Sequence, residues 1–576
     1  MPRVPRRQPA KGPTGPKTNP TAGRWSLGAV RPAVEARLAA WAAADAAGRI
    51  WRKDPGFWPS APAADIGGRL GWLRTPEQSA SRTAEWREFA AGVRRDGFSH
   101  VVLLGMGGSS LAADVIAQVL PPVRGWPKFS VLDSTHPAAV QACLDRAPVD
   151  RTLYLVSSKS GTTLEPNAFL RFFWEQAGRA PGEPRQRFVA ITDPGTALER
   201  LAADRRFRTV FSAPPDIGGR YSALSVFGMV PAALMGVDLD GLLGSARAMV
   251  ARCAAPGEAA LHPGLALGAT LGELALAGRN KVVFPTSASL RAFPAWVEQL
   301  VAESLGKLGR GVVPVANAPP PGEFPHGSDV VYVYVALEGE RERAVERELA
   351  AQEADGAPVL RFTLGSPLEL GREFFRWEFA IAACGAVLDV DPFDQPDVEH
   401  AKDLARAEMG RSTAPASRPD RYGSPPDDRL EPELANWLGS ARPGDYVAVQ
   451  AFLAPSEGTD EALGRLLSRL RQALGIVVTL GYGPRFLHST GQMHKGGPPS
   501  GLFLQIVDEP AADLPVPGLG LTFAEMLRAE ASGDRAALEE KRRRILVANV
   551  GTRPLDGLDA LTKLVGRHAP DGRPPS

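Results

Sequence analysis

The amino-acid sequence predicts an α/β protein with two doubly wound parallel sheets and a smaller C-terminal α/β module. Three observations support this fold class. Short apolar runs alternate with helix-length segments, which is the pattern of parallel strands joined by crossover helices. A length of 576 residues exceeds what one hydrophobic core holds, so about three or four domain-sized pieces are expected. Hydrophobic residues make up 44% of the chain, which is enough to fill such cores.

Charge and composition exclude several classes of protein. The chain has 66 lysines and arginines against 64 aspartates and glutamates, a formal net charge of +2. Nucleic-acid and polybasic membrane proteins have a clustered basic excess, so we expect neither partner. The longest apolar run, Val226 to Val237, contains Pro231 and is too short to span a bilayer. Three scattered cysteines and the absence of a recognisable secretory signal indicate a cytoplasmic protein.

The sequence divides into six predicted segments. Residues 1–25 are basic and rich in proline and glycine, which predicts a disordered tail. The other segments are 26–240 for a helical region and the first sheet domain, 241–408 for the second sheet domain, 409–445 for a linker, 446–552 for the C-terminal module and 553–576 for another tail. The predicted strands are 100–104, 129–133, 153–157 and 188–192 in the first sheet, and 281–284, 311–315, 330–334 and 359–362 in the second.

A glycine-rich loop follows the first predicted strand. Gly105, Gly107 and Gly108 precede Ser109, Ser110 and a helical segment. Glycines let the backbone turn tightly and approach a ligand, and a helix N-terminus presents N–H groups to an anion. By itself the loop is equally typical of a dinucleotide site, a sugar-phosphate site and a structural turn.

A second loop, after the third predicted strand, favours a phosphate. It places several hydroxyls and one lysine at the carboxyl end of that strand: Ser158, Lys159, Ser160, Thr162 and Thr163. A phosphate monoester is bound by short hydrogen bonds of this kind. Serine and threonine also cap helices, but the density of hydroxyls beside a lysine favours the phosphate site. A dinucleotide fold would not need this second loop.

Two more motifs contain candidate charged groups. Gly218 and Gly219 would let the Arg220 guanidinium reach into a crevice, although a turn with a surface arginine fits equally well. A proline-rich turn at residues 391–397 leads into a helix whose first turn is acidic. Lys402 lies one to two turns inside this helix. That pattern alone indicates only the start of a helix.

A predicted helix over residues 294–307 contains a candidate base. Gln299 and Glu303 are four residues apart and therefore share a face. Most of the helix is apolar, so Glu303 is expected to be buried, where a carboxyl can act as a base near neutral pH. The alternative is an exposed Glu303 paired with Lys307.

Together these five motifs resemble the phosphoglucose isomerase family. The matching residues are Gly107–Ser109, Ser158–Thr163, Gly218–Arg220, Gln299 with residues 303–307, and Asp394–Gln395 with Val398, Glu399 and Lys402. The resemblance covers roughly residues 97–404 and implies two SIS-type sugar-isomerase domains with the active site between them. The tryptophan-rich region at residues 50–58 and the stretch at residues 479–492 also resemble the isomerase half of bacterial transaldolase/phosphoglucose isomerase fusions.

The resemblance implies a role for each site residue. Glu303 would be the base that moves a proton between C1 and C2 of the sugar, and Arg220 would stabilise the cis-enediolate. Lys402 and a histidine would open the sugar ring, and His326 is the candidate because it lies between the base helix and Lys402. The substrate-binding residues would be Gly108, Ser109, Ser158, Lys159, Ser160, Thr163, Gly219, Gln299 and Gln395. Neither a metal nor a cofactor is implied.

The expected activity is interconversion of glucose 6-phosphate and fructose 6-phosphate by a glycolytic isomerase whose partner is a small sugar phosphate. A homodimer is one possible assembly. Alternatives are a regulatory protein that binds a sugar phosphate without catalysis, a nucleotide-dependent enzyme, and a dual phosphoglucose/phosphomannose isomerase. Gln395 disfavours dual specificity, since relatives that also accept mannose 6-phosphate tend to have threonine there. The segment 488–497 could be another anion loop, but a structural or subunit-contact role is preferred.

Overall fold

Three parallel sheets organise the chain, and the computed structural model describes residues 25–62, 66–254, 262–411, 426–427 and 429–568. The tail predicted at residues 1–25 lies outside the described residues except for its last position, which belongs to a short strand, β1 (Trp25–Ser26). Alternate residues of the central strands pack into different hydrophobic clusters on the two faces of each sheet. Helices therefore cover both faces, which confirms the predicted doubly wound class.

The first sheet has five parallel strands. They are β2 (His100–Gly105), β3 (Lys128–Leu132), β4 (Thr152–Ser157), β5 (Phe188–Thr192) and β6 (Thr209–Ser212), arranged in the order β3-β2-β4-β5-β6. Four of them were predicted, and β6 was missed because it is short and only partly buried. The helices of this region are α1 (Arg31–Ala43), α2 (Ala46–Trp51), α3 (Thr75–Ala80), α4 (Thr83–Arg95), α5 (Leu111–Val119), α6 (Pro137–Arg146), α7 (Leu164–Arg179), α8 (Ala197–Asp204) and α9 (Val226–Leu234).

The second sheet contains the four predicted strands and β1. The four are β7 (Lys281–Val283), β8 (Val313–Val315), β9 (Val330–Leu337) and β10 (Val359–Leu364), and the order is β1-β10-β9-β7-β8 with β1 antiparallel. The accompanying helices are α10 (Leu239–Ala254), α11 (Pro263–Leu276), α12 (Phe293–Leu305), α13 (Arg343–Ala354), α14 (Leu370–Leu388) and α15 (Pro396–Arg411).

The third sheet belongs to the C-terminal module. Its strands are β11 (Tyr446–Phe452), β12 (Val477–Tyr482), β13 (Gly501–Val507) and β16 (Arg544–Asn549), in the order β12-β11-β13-β16, and β14 (Pro515–Val516) pairs separately with β15 (Leu521–Thr522). The helices are α16 (Glu431–Gly439), α17 (Glu457–Leu474), α18 (Gly491–Gly496), α19 (Phe523–Glu540) and α20 (Pro554–Arg567).

Two predicted segment types need correction. The linker at 409–445 contains α16, whose Leu434, Trp437 and Leu438 are buried in the core of the third sheet. The tail at 553–576 contains α20, which packs on α17 through buried leucines. The sequence around α16 and α20 is rich in proline and glycine, and for this reason neither amphipathic helix was predicted. The parts of these segments at 412–425, 428 and 569–576 lie outside the described residues.

Among the parallel strands of each sheet, the strand that comes first in sequence lies between the second and the third. In the first sheet this means that β2 lies between β3 and β4, and in the second that β7 lies between β8 and β9. Crossover connections leave in opposite directions from such a point and open a crevice at the carboxyl ends of the strands, where ligands bind in open α/β sheets. The loops that follow β2 and β4 are the two loops predicted to bind phosphate.

A shared hydrophobic cluster joins the second and third sheets. Tyr332 and Tyr334 of β9 belong to the same buried cluster as Tyr446 of β11 and Phe503 of β13. The C-terminal module therefore packs directly on the second domain. Within the described residues no helix is both long and apolar enough to cross a membrane.

Substituting Leu561 by alanine is expected to destabilise the C-terminal module by about 2–5 kcal/mol, because this fully buried side chain of α20 fills the interface with α17. Guanidinium denaturation followed by circular dichroism measures the loss. On the same helix Leu555 is 47% exposed, so Leu555→Ala is the matched control, with an expected change within about 0.5 kcal/mol. Equal effects of the two substitutions would contradict the docking of α20.

Candidate functional site

Two glycine loops touch each other in the crevice of the first sheet. A Cβ added to Gly108 would lie 2.2 Å from the carbonyl carbon of Gly219, and Gly107 has a positive φ of 52°. The Ser222 hydroxyl donates to the Gly108 carbonyl at 3.2 Å and fixes this approach. Only glycine fits at Gly108 because the two backbones are in contact there.

The hydroxyl loop lies beside the glycine loop, between β4 and the N-terminus of α7. Ser157 at the end of β4 donates to the Ser109 carbonyl at 2.7 Å and joins the two loops. Ser158 donates to the Thr163 hydroxyl at 3.1 Å, and Ser160 lies 3.5 Å from the same hydroxyl. The structure thus brings together the hydroxyls predicted to bind phosphate, next to the N-terminus of the long helix α7.

Lys159 has a different partner from the one expected. Its ammonium forms an ion pair with the carboxylate of Asp193, just after β5. Burial raises the pKa of Asp193, and the hydrogen bond from Lys159 opposes that rise. The lysine is therefore neutralised by the protein, and the hydroxyls and backbone N–H groups remain as the donors of this loop.

Arg220 is buried, with 3% of its surface exposed, and each guanidinium nitrogen has a partner. Nε donates to the Ser304 hydroxyl at 2.7 Å, and Nη1 donates to Oε1 of Gln395 at 2.9 Å. Nη2 donates to the carbonyls of Pro392 and Asp394 at 2.7 and 2.8 Å. These bonds hold the cation rigidly between the base helix and the turn before α15.

Tryptophans of the N-terminal region pack against the two segments that hold Arg220. Trp72 stacks on Tyr221, the residue after Arg220, with ring centroids 5.4 Å apart. Trp58 packs edge-on against Phe393 of the turn, also at 5.4 Å. Both indoles are fully buried.

Glu303 is buried as predicted, with 7% of its surface exposed, and it lies against Arg220. Its Oε1 is 3.3 Å from Nη1 of the guanidinium, and its Oε2 accepts from Nε2 of Gln299 at 3.2 Å. The alternative pairing with Lys307 is wrong, because that ammonium bonds Asp394 at 2.8 Å. Burial lowers the pKa of Lys307 to about 8.

His326 lies away from these groups of the chain, so its role in ring opening stays a prediction. Its side chain is 45% exposed and contacts Gln352 at 3.0 Å and Glu348 at 4.0 Å, both on α13. Position along the sequence between Glu303 and Lys402 was therefore a poor guide to position in space.

His488 is the histidine at the site. Its Nε2 lies 2.6 Å from Oε1 of Glu165, in the first turn of α7. Its carbonyl accepts from Nε2 of Gln299 at 2.7 Å, so the segment before α18 contacts the base helix. These contacts are compatible with the preferred structural role of residues 488–497, and they also bring His488 to the site. The sequence signal for His488 is a histidine followed by hydroxyls, glycine and lysine, which is also the pattern of an anion-binding loop.

The hydroxyl loop, Glu165 and His488 line a common cavity of about 160 Å³. Behind His488 lie two buried acids of α19: Glu530, which accepts from the Thr135 hydroxyl at 2.8 Å, and Asp534, which pairs with Lys495. Burial raises the pKa of Glu530, and the neighbouring Glu165 raises it further.

Lys402 is in α15, two turns after Gln395, but its side chain lies outside the described residues. No group of three or more potential ligands for a metal ion occurs in the described part of the chain.

The fold and this crevice define a class: a doubly wound α/β protein in which a glycine loop and a hydroxyl loop meet near a buried glutamate held by an arginine. A family model described as phosphoglucose isomerase matches residues 78–315. The glucose-6-phosphate isomerase of Rubrobacter xylanophilus is 32% identical over 391 residues, which are 59% of this chain and 89% of that protein. The chain belongs to the phosphoglucose isomerase family.

Two further comparisons show a relative with the same name and a solved structure with a similar fold. The glucose-6-phosphate isomerase of Symbiobacterium thermophilum is 30% identical over 402 residues, which are 61% of this chain and 89% of that protein. A solved structure of a hypothetical protein from Thermus thermophilus is 27% identical, covers 68% of this chain and all of its own length, and superimposes with a TM-score of 0.57.

Substituting Gly108 by alanine is expected to separate the two glycine loops and lower the thermal unfolding midpoint, because its Cβ would overlap the Gly219 carbonyl. Gly219→Ala is the matched control, since its nearest neighbour would be the Gly108 Cα at 3.9 Å, an ordinary contact. Scanning calorimetry of both variants tests the contact, and a tolerated Gly108→Ala would show that the loops are not packed as described.

Proposed function

We propose that the protein interconverts glucose 6-phosphate and fructose 6-phosphate through a cis-enediol(ate) intermediate. The observation that supports this most directly is Glu303, a buried carboxylate fixed by Gln299 and Arg220 next to the crevice of the two anion-binding loops. Names of relatives that are at least 30% identical point to the same reaction.

The substrate phosphate is placed at the hydroxyl loop. The phosphate can accept hydrogen bonds from the hydroxyls of Ser158, Ser160 and Thr163 and from the N–H groups in the first turn of α7. Ser109, at the end of the glycine loop, lies on the other side. Gly219 leaves room for the sugar to approach the backbone, and Gly108 lets the two loops pack together. Lys159 would contribute through its backbone and its charge near Asp193 rather than through a free ammonium.

Proton transfer between C1 and C2 is assigned to Glu303. The carboxylate removes a proton from one carbon and returns it to the neighbouring carbon, so the reaction needs no external acid. Negative charge then develops on the enediolate oxygens. Arg220 lies 3.3 Å from Glu303 and is held by Ser304 and Gln395. Its fixed guanidinium therefore stabilises the negative charge of the enediolate.

Ring opening is assigned to His488 with Glu165, and Lys402 stays a prediction. The contact between Nε2 of His488 and Glu165 holds the imidazole in place, and in the imidazolium form Nδ1–H is the proton that is transferred to the ring oxygen, which leaves the neutral imidazole with Nε2–H on Glu165. All of these groups come from one chain, so the assignment does not require the possible homodimer.

The regulatory alternative would need the phosphate loops but not a buried base beside a fully bonded arginine. Dual specificity for mannose 6-phosphate is disfavoured by the bond between Gln395 and Arg220. We place the enzyme in the cytoplasm, where the three cysteines, all unpaired and buried, would stay reduced.

Glu303→Gln is expected to lower kcat for isomerisation by about 10³-fold, because the amide cannot accept a proton. Binding of a five-carbon sugar-acid phosphate, which mimics the enediolate, is expected to persist since Gln keeps the shape of the side chain. A coupled assay and calorimetry measure the two effects. Glu348→Gln, on the surface helix α13, is the control and keeps wild-type kcat. Wild-type turnover by Glu303→Gln would overturn the assigned base.

The two histidines give a direct comparison. His488→Asn is expected to reduce kcat on the cyclic substrate by about 10²-fold through loss of the ring-opening acid, whereas His326→Asn is expected to behave as wild type. Exchange of anomers followed by NMR separates ring opening from isomerisation, and only the first should depend strongly on His488. The reverse order of effects would restore His326 and reject His488.

A further inference from the structure

Arg485, just after β12, joins the C-terminal module to the first domain through two carboxylates. Its Nη2 donates to Oδ2 of Asp114 at 3.1 Å, and its Nε lies 3.3 Å from Oδ2 of Asp133. Asp114 is in the first turn of α5, the helix that follows the glycine loop, and Asp133 comes directly after β3. One guanidinium therefore holds together two segments of the first domain and one segment of the module.

Arg485 begins the short 3₁₀ turn that ends at His488. Side chains three residues apart lie on the same side of such a turn, and both of these side chains contact the first domain. The other end of the turn is held as well. The His488 carbonyl accepts from Nε2 of Gln299 at 2.7 Å, and a Cβ added to Gly107 would lie 2.7 Å from that carbonyl oxygen. The turn is thus fixed at both ends.

The two carboxylates need the guanidinium between them. The side chains of Asp114 and Asp133 are only 20% and 14% exposed. Burial raises the pKa of Asp133, the charge of Arg485 opposes that rise, and the charge of Asp114 adds to it. Neighbouring carboxylates repel each other, so without the guanidinium they would take up water in its place. The turn would then lose its attachment at this end.

The loop after β3 also contacts the module at a place that does not involve this turn. Nε2 of His136 lies 3.1 Å from Oδ2 of Asp508, just after β13, and both side chains are 4% exposed. This buried pair docks the third sheet on the first domain through a different strand. Weakening it should loosen the docking of the module without releasing the turn that begins at Arg485.

We propose that Arg485 is a positioning residue for ring opening: its attachment to Asp114 and Asp133 holds the turn that places His488 beside the sugar. This rests on the proposed function, because Arg485 is assigned no contact with the substrate and acts only through the imidazole. Misplacing a reacting group by about 1 Å can slow a reaction on the order of 10²-fold. Proton transfer by His488 should therefore depend on Arg485 much more than proton transfer by Glu303.

The test compares rates of anomer exchange of glucose 6-phosphate, followed by NMR. Arg485→Met keeps an unbranched side chain without the charge and is expected to slow exchange about tenfold. Arg485→Lys keeps a cation that can reach one carboxylate rather than two, so it should lose less. Asp508→Asn is the matched control, which should lower the thermal unfolding midpoint but leave exchange at the wild-type rate. Wild-type exchange by Arg485→Met would overturn the proposal.

A double-mutant cycle separates positioning from direct catalysis. In His488→Asn the imidazole is already gone, so adding Arg485→Met should cause no further loss of exchange. An equal loss in both backgrounds would show that Arg485 acts independently of His488 and would reject the positioning role. Circular dichroism reports whether each variant folds, and Arg485→Lys in both backgrounds keeps the cycle decisive if the methionine variant does not.

Backbone hydrogen exchange followed by mass spectrometry tests the attachment without relying on activity. The amides of Leu487 and Ser489 are bonded within the turn, so Arg485→Met should speed their exchange, whereas Asp508→Asn should not. Unchanged protection in Arg485→Met would reject the attachment itself. A wild type that does not speed anomer exchange would instead overturn the proposal through the assignment of His488, even with the attachment confirmed, so the two failures are distinguishable.

Discussion

The buried guanidinium of Arg220 is the interaction on which the site depends. It joins three parts of the chain that are far apart in sequence: the glycine turn after the first sheet, the base helix through Ser304 and Glu303, and the turn before α15 through Gln395. A buried cation without partners would be strongly destabilising, so the partners and the arginine require one another. The same bonds that satisfy the charge also fix the geometry in which Glu303 can work.

Sequence patterns predicted those parts of the site that depend on local rules. A loop after a buried strand must emerge at the carboxyl edge of the sheet, and Gln299 and Glu303 must share one face of a helix, so their proximity follows from topology and helical periodicity. The partners of charged side chains do not follow in this way. Lys159 pairs with Asp193 and Lys307 with Asp394, across contacts that only the folded chain creates.

His488 shows why the rest could not be predicted. It is supplied by the third sheet, after the segment that had been interpreted as a linker, and it meets Glu165 more than three hundred positions away in sequence. Nothing in the neighbourhood of either residue indicates the other. The helices α16 and α20 were missed for a different reason: their apolar faces are short and are flanked by proline and glycine, and only packing against the third sheet stabilises them.

The common cluster of Tyr332, Tyr334, Tyr446 and Phe503 makes the second and third sheets one cooperative body. A change in the packing of either sheet therefore affects the stability of both, and the two sheets must be kept together in any fragment. A fragment cut at the boundary suggested by composition would expose tyrosine and phenylalanine side chains at the break and would lose the imidazole as well. The smallest part of this protein that can fold with its site intact therefore comprises all three sheets.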